Sequence, residues 1–193
     1  QRIAEDCPSL RRVEVVALIR ALVLRLADEE FAVVEWSLQS NHLHLVVEAA
    51  DSRVLARRLG GFLGELAKRL NRLWCRSGQV FPQRFDARVL ATPRAVRTAL
   101  AYTLGNGRKH GAWSGRGPDR CSSGPEFTGW KDWVARSRAL PKACTWLLAS
   151  GWQRHGLLAV LAGPRSEEDA WLEDLERRAQ AESTQVKSLR RAG

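Results

Sequence analysis

The chain of 193 residues contains no methionine, one tyrosine and only four histidines. The missing methionine extends to the first position, Gln1, which leads us to expect a piece that begins inside a longer reading frame. No apolar run approaches the roughly 20 residues that span a bilayer. The most apolar stretch, Val13 to Ala27, is broken by Arg20 and Arg25, so no membrane partner is expected. The opening carries an acidic pair, Glu5 and Asp6, where a secretory signal needs a basic start and an apolar run. Cys7, Cys75, Cys121 and Cys144 form no C-x-x-C, which argues against a zinc ribbon. A chain that is 45% hydrophobic can build its core without disulfide staples. We therefore read the cysteines as reduced thiols and the location as cytoplasmic.

What the chain has in excess is positive charge. The formal net charge is +10, and arginine dominates over lysine. A basic domain of this size most often meets a polyanion, with nucleic acid the leading candidate. An arginine-rich proteome gives the same composition, so charge alone decides little.

Along the chain, Pro8-Ser9 reads as a helix entry with Ser9 as cap, followed by a largely buried helix from Leu10 to Glu30. "FAVVEWSLQ" is rich in β-branched and aromatic residues and predicts a strand; "HLHLVVEA" predicts a second, and Gln39-Ser40-Asn41 supplies the turn of a hairpin. A long helix is expected from Asp51 to about Arg76, with Leu55, Leu59, Phe62, Leu66, Leu70 and Leu73 on one stripe. Gly60-Gly61 in its middle predicts either a kink or a close packing partner. A third strand is expected at Asp86 to Leu90. Thr92-Pro93 then caps a third helix that frays at Gly105 and Gly107. From Ala112 onward Gly, Ser and Pro read as loop, with helical patches at Trp130 to Arg138, Lys142 to Leu148 and Ser166 to Leu189. The expected division is a domain at 1–112 and a loop-rich, then helical, extension at 113–193. The class is α+β. With one strand in front of Gln1 the order becomes β-α-β-β-α-β plus a helix, the ferredoxin-like split arrangement, its first strand missing from this chain.

His42 and His44 stand two apart on the second strand, so both project from one face, while Leu43 and Leu45 face the core. Two imidazoles on one face can converge on a metal ion, or merely line a half-buried sheet. The single tyrosine shifts that balance. Tyr102 lies on the third helix, and Asn106 follows four residues later on the same face. A phenol is a weak nucleophile near neutral pH, and a divalent cation that polarises a phosphate lets it act.

These segments, in this order, resemble a known family. "NHLHLVVE" is similar to the histidine–hydrophobic–histidine motif of the single-tyrosine transposases, in particular the IS200-like and REP-associated tyrosine transposases. "QVFPQRFDARVL" resembles their segment after the second helix. "AYTLGNGRKHG" resembles their tyrosine helix, and "CSSGPEFTGW" a segment found beyond it in one bacterial branch. The likeness runs from about Pro8 to Gly111. It implies a metal-dependent endonuclease and strand transferase acting on single-stranded DNA. His42, His44 and Asn106 would hold Mg²⁺ or Mn²⁺, and Tyr102 would attack the scissile phosphate to leave a 5′-phosphotyrosine.

The resemblance also implies a nucleoid-associated bacterial protein that binds single-stranded or hairpin DNA, as a monomer or a homodimer. Candidate DNA contacts are Arg53, Arg57, Arg84, Arg88, Arg108 and Lys109. Trp74 and Trp113 are candidates to stack an unpaired base, with Trp36 read as core. The family's usual Asn-Pro stands here as Asn106-Gly107. That change and the absent first strand favour an alternative: a domesticated or degenerate relative that binds hairpins with little or no cleavage. An unrelated metallohydrolase using His-x-His needs further His or Asp ligands that the chain does not offer in any recognisable spacing.

Overall fold

A computed structural model describes residues 1–135 and 139–161, all within a compact unit that runs Gln1–Gly163. The helix expected from Ser166 to Leu189 lies outside the described residues. At the centre is an antiparallel hairpin of β1 (Phe31–Leu38) and β2 (Leu43–Ala49). Helix α1 (Val13–Leu26) and helix α2 (Ser52–Leu73) cover one face, and α3 (Pro93–Lys109) covers the other. This is an α+β arrangement in which every residue of β1 is buried.

The strand pleat sorts side chains between the two faces. Phe31, Val33, Trp36, Leu38 and Leu43 join Ile19, Leu22, Phe62, Leu66 and Leu70 in one core. Ala32, Val34 and Val46 join Val96, Leu100 and Leu104 of α3, with Phe127, Trp130 and Trp152, in the other. The ladder pairs Trp36 with Leu45, Ser37 with His44 and Leu38 with Leu43, and it shifts register by one residue between Val33 and Glu35. The extra residue re-aims the rest of β1, as bulges do. Glu35, Ser37 and Gln39 therefore alternate with the core residues Trp36 and Leu38, on the α3 side.

Both edges of the hairpin are partly covered. Residues 1–3 run antiparallel beside the start of β2: Leu43 N–H donates to Gln1 O at 2.9 Å, and Ile3 N–H to Asn41 O at 2.9 Å. On the β1 edge, Leu38 N–H donates to Cys121 O at 2.8 Å and Ser123 N–H to Trp36 O at 2.9 Å. The strand expected at Asp86 to Leu90 is not formed; Asp86 to Val89 are all exposed, with Val89 at 86%. Phe85 and Leu90 at its two ends pack against the two cores, and Cys121–Ser123 lies along the β1 edge.

Local chemistry explains where the helices begin and end. Asp51 caps α2 by accepting from Val54 N–H at 2.7 Å, and Thr92 caps α3 by accepting from Ala95 N–H at 3.1 Å, with Pro93 at the first position. The cap expected at Ser9 is absent. Helix α1 starts at Val13 because Leu10 is fully buried and Arg11 is held elsewhere, which keeps the chain extended. Nor is α1 largely buried: Val15, Ile19, Leu22 and Val23 form its inner stripe, while Val13 and Leu24 face solvent. Helix α2 continues through Gly60-Gly61, and no atom approaches either glycine closely, so no packing partner explains them. Its end is a Schellman turn in which Arg76 N–H donates to Asn71 O at 2.9 Å and Cys75 takes the left-handed conformation, φ 49°.

Helix α3 does not fray at its glycines but runs unbroken to Lys109. The described part of Trp130 to Arg138 is not helical. Of Lys142 to Leu148 only the turn α4 (Trp146–Ala149) forms. Glu48 accepts from the N–H groups of Cys144 and Thr145, at 2.6 and 2.9 Å, and so holds the start of α4 against β2.

Candidate active site

On the α3 side of the sheet the apolar packing gives way to polar groups at the hairpin's turn end. The rings of His42 and His44 meet edge to face with centroids 4.8 Å apart. The ring of Tyr102 meets that of His44 edge to face at 5.0 Å. The imidazole pair and the only tyrosine of the chain therefore form one continuous ring cluster across the seam between β2 and α3. Asn106, one helical turn beyond Tyr102, is fully buried on the same helix.

Two residues here, His44 and Asn106, keep buried side-chain atoms without a hydrogen bond. His44 Nε2 is buried without a hydrogen bond, and so are both side-chain atoms of the Asn106 amide. Buried polar groups are nearly always satisfied, by protein or by water, so these orphans single out the cluster from the packing around it. Burial, and next to it the charge of His42, holds the pKa of His44 well below its ordinary value. Its imidazole is thus neutral near pH 7, the form that ligates metals. His42 Nδ1 lies 2.8 Å from Asn41 Oδ1, which orients its ring at the start of β2. Among the described residues no group of three or more His, Cys, Asp and Glu is placed to hold a metal. A cation at this place would draw on two imidazoles, the Asn106 amide and oxygens of solvent or substrate.

The basic residues separate into classes. Lys109 reaches the cluster, its Nζ 5.6 Å from the centroid of the Tyr102 ring. Arg108 does not turn outward: its guanidinium donates to Gly117 O at 2.8 Å and also to Gly115 O, so it holds the loop after α3 rather than waiting for a partner. Arg53 and Arg57 are exposed on the first turns of α2, where Arg57 and Glu30 stand 3.7 Å apart. Arg84 and Arg88 are exposed in the segment between α2 and α3. Trp36 is core, as expected. Trp113 is committed internally: its Nε1 donates to Gly117 O at 2.8 Å, and Arg120 stands over its ring at 5.9 Å. Trp74 packs half-buried against the core at the end of α2.

Two features escape the sequence reading. One is a clamp around the end of α3. Arg11 makes a forked pair with Asp119, Nη1 to Oδ2 at 2.8 Å and Nη2 to Oδ1 at 2.9 Å, and also donates to Leu38 O and Ala112 O. Desolvation opposes the Arg11 charge, but the bonds and charge of Asp119 outweigh it and raise its pKa. The other is the row Glu35, Ser37 and Gln39, buried polar side chains of β1 and its end on the α3 side. Its alternation with Trp36 and Leu38 is visible in "EWSLQ", but alternation alone does not say that the polar face is covered. No family model matches the chain, and no curated protein and no solved structure matches it.

Proposed function

We propose that the chain is a single-stranded DNA endonuclease and strand transferase of the single-tyrosine transposase kind, with Tyr102 as nucleophile. The observation that carries this reading is the ring cluster: Tyr102 stands 5.0 Å from His44, which stands 4.8 Å from His42. The orphaned Asn106 amide one turn along supports it. In this reading the fold is the ferredoxin-like split arrangement. Residues 1–3 lie antiparallel beside β2, the place that arrangement gives its first strand.

The donor set suits a divalent cation, with imidazole and amide atoms that none of the described residues satisfies. His42, His44 and Asn106 would hold Mg²⁺ or Mn²⁺, ions that keep water and phosphate oxygens as their remaining ligands. When bound, such an ion polarises the scissile phosphate as a Lewis acid. Tyr102 Oη forms the new bond to phosphorus as the bond to the 3′-oxygen breaks. The phenol proton passes to water, and the departing oxygen takes one up as a 3′-hydroxyl. The 5′-phosphotyrosine conserves the phosphodiester bond, so joining to another 3′-hydroxyl needs no further energy source. Lys109 brings positive charge to the attacking residue. The exposed Arg53, Arg57, Arg84 and Arg88 supply phosphate contacts along the strand.

The test is a labelled DNA hairpin with single-stranded flanks, incubated with the protein and Mg²⁺ or Mn²⁺. The expected result is a protein–DNA adduct that survives denaturation and is lost in Tyr102→Phe. DNA that is retarded but never cut assigns the chain to hairpin binding instead. An adduct retained in Tyr102→Phe overturns the mechanism, since no second tyrosine exists.

A further inference from the structure

The orphaned atoms of the site are not confined to His44 and Asn106. Ser37 Oγ and Gln39 Nε2 are also buried without a hydrogen bond, in side chains 1% and 3% exposed. Ser37 is the ladder partner of His44, and directly opposed residues of an antiparallel pair project to the same face. Gln39, two residues on, donates its backbone N–H to His42 O at 2.8 Å, which sets it opposite the other histidine. The pleat therefore lines up Ser37 and Gln39 on one strand against His44 and His42 on the next, with Asn106 arriving from α3.

Leaving such groups unmet costs about 1–3 kcal/mol each. Alanine and leucine would fill the two positions at no such cost, so stability does not explain a hydroxyl and an amide there.

The chemistry of the row selects what would meet it. A hydroxyl and a primary amide are neutral hydrogen-bonding groups that can donate to an anionic oxygen. Lys109 stands beside Tyr102, its Nζ 5.6 Å from the ring centroid, and brings a cation to this face. The carboxylate on this face, Glu35, pairs with Val46, one step further along the sheet from His44.

We propose that Ser37 and Gln39 are substrate-positioning residues that donate hydrogen bonds to non-bridging oxygens of the phosphate presented to Tyr102. This rests on the transposase-like reading of the site and adds a second, metal-independent hold on the substrate. A bound cation would polarise the phosphate, and the β1 row holds its oxygens by hydrogen bonds. Hydrogen bonds to charged oxygens in a buried site are the strong kind, so each residue carries about tenfold in affinity.

The experiment uses the full 193-residue chain carrying Tyr102→Phe, so that a bound strand stays uncut. The probe is a hairpin oligonucleotide with single-stranded flanks in the presence of Mn²⁺. Its affinity is measured with and without Ser37→Ala or Gln39→Leu, beside Mn²⁺ affinity without DNA and thermal unfolding. The expected result is about tenfold weaker DNA binding in each variant, with Mn²⁺ affinity unchanged and Tm equal or higher. Replacing flank phosphodiesters by phosphorothioates is expected to weaken binding to the Tyr102→Phe parent. That penalty should shrink in both variants, which a merely structural role would not produce.

Unchanged DNA binding overturns the proposal. So does a drop in Tm with DNA binding intact, the mark of a buried structural water. A fall in Mn²⁺ affinity without DNA reassigns the pair to the cation and overturns the phosphate contact. If the unsubstituted chain forms the covalent adduct while the variants bind DNA as their parent does, only this inference falls. If the unsubstituted chain binds neither Mn²⁺ nor the oligonucleotide, the underlying reading falls with it.

Discussion

The carboxylate of Asp119 occupies the space that a Cβ on Gly107 would need. Gly107 directly follows Asn106, and its carbonyl accepts from Trp113 N–H at 2.9 Å. The loop after α3 thus turns back and presses a forked Arg11–Asp119 pair against the end of the tyrosine helix. Helix α3 tolerates this glycine because its missing side chain admits the clamp, which offsets the ordinary helix penalty of about 1 kcal/mol.

Gly107→Ala is the direct check on the clamp. The new methyl meets a carboxylate held by two hydrogen bonds, so it must displace Asp119 or distort α3. A loss of about 2 kcal/mol or more is expected in urea unfolding, despite alanine's better helix propensity. Gly60→Ala, with open space around the new methyl, is expected to gain about 1 kcal/mol. Equal effects at the two sites would contradict the clamp.

Cys75 supplies a second contrast. It ends α2 in the left-handed region, where a Cβ costs about 1–2 kcal/mol and glycine costs little. Cys75→Gly is expected to raise stability by about 0.5–1 kcal/mol after the greater freedom of glycine in the unfolded chain is counted. Chemical unfolding of the reduced protein reads this directly, and a loss of stability would show that the thiol contributes to the turn.

The depressed pKa of His44 makes a prediction of definite sign. Burial favours its neutral form in the folded chain, while the unfolded chain takes up a proton near pH 6.5. Below that pH the unfolded state binds more protons, so stability falls with falling pH until the folded pKa is passed. The slope contributed by one group is at most about 1.4 kcal/mol per pH unit. Urea midpoints between pH 7.5 and 5 are expected to drop, and to drop less steeply in His44→Leu. An unchanged slope would mean that His44 takes up its proton as readily folded as unfolded.

Cation binding is expected to stabilise the chain through residues that destabilise it when empty. Mn²⁺ at 100 times its dissociation constant adds about 2.7 kcal/mol. Asn106→Leu removes two buried orphan atoms, so the metal-free Tm is expected to hold or rise while the Mn²⁺ shift shrinks. His44→Leu is expected to lose the shift altogether. A full Mn²⁺ shift in both variants would place the ion elsewhere.

Much of the molecule follows from local pattern. The caps at Asp51 and Thr92, the hairpin with its turn at Gln39 to Asn41, and the apolar stripe of α2 are consequences of side-chain chemistry within a few residues. Strand alternation likewise puts His42 and His44 on one face, and helical spacing puts Tyr102 and Asn106 on another, before any packing is known. These are short-range facts, legible before any tertiary contact forms.

Other outcomes depended on groups far apart in the chain. Asp86 to Leu90 forms no strand, while the distant Cys121 to Ser123 bonds to the β1 edge. Helix α1 begins late because Arg11 reaches Asp119 across the fold. Helix α3 holds through Gly107 because a distant carboxylate fills the gap that propensity counts as a weakness. The meeting of the two histidines with Tyr102, and the isolation of Ser37 and Gln39 beside them, exist only once α3 is laid across the hairpin. Periodicity assigns each side chain a direction. Only the packing of one element on another determines what it meets there, and whether water is left to satisfy it.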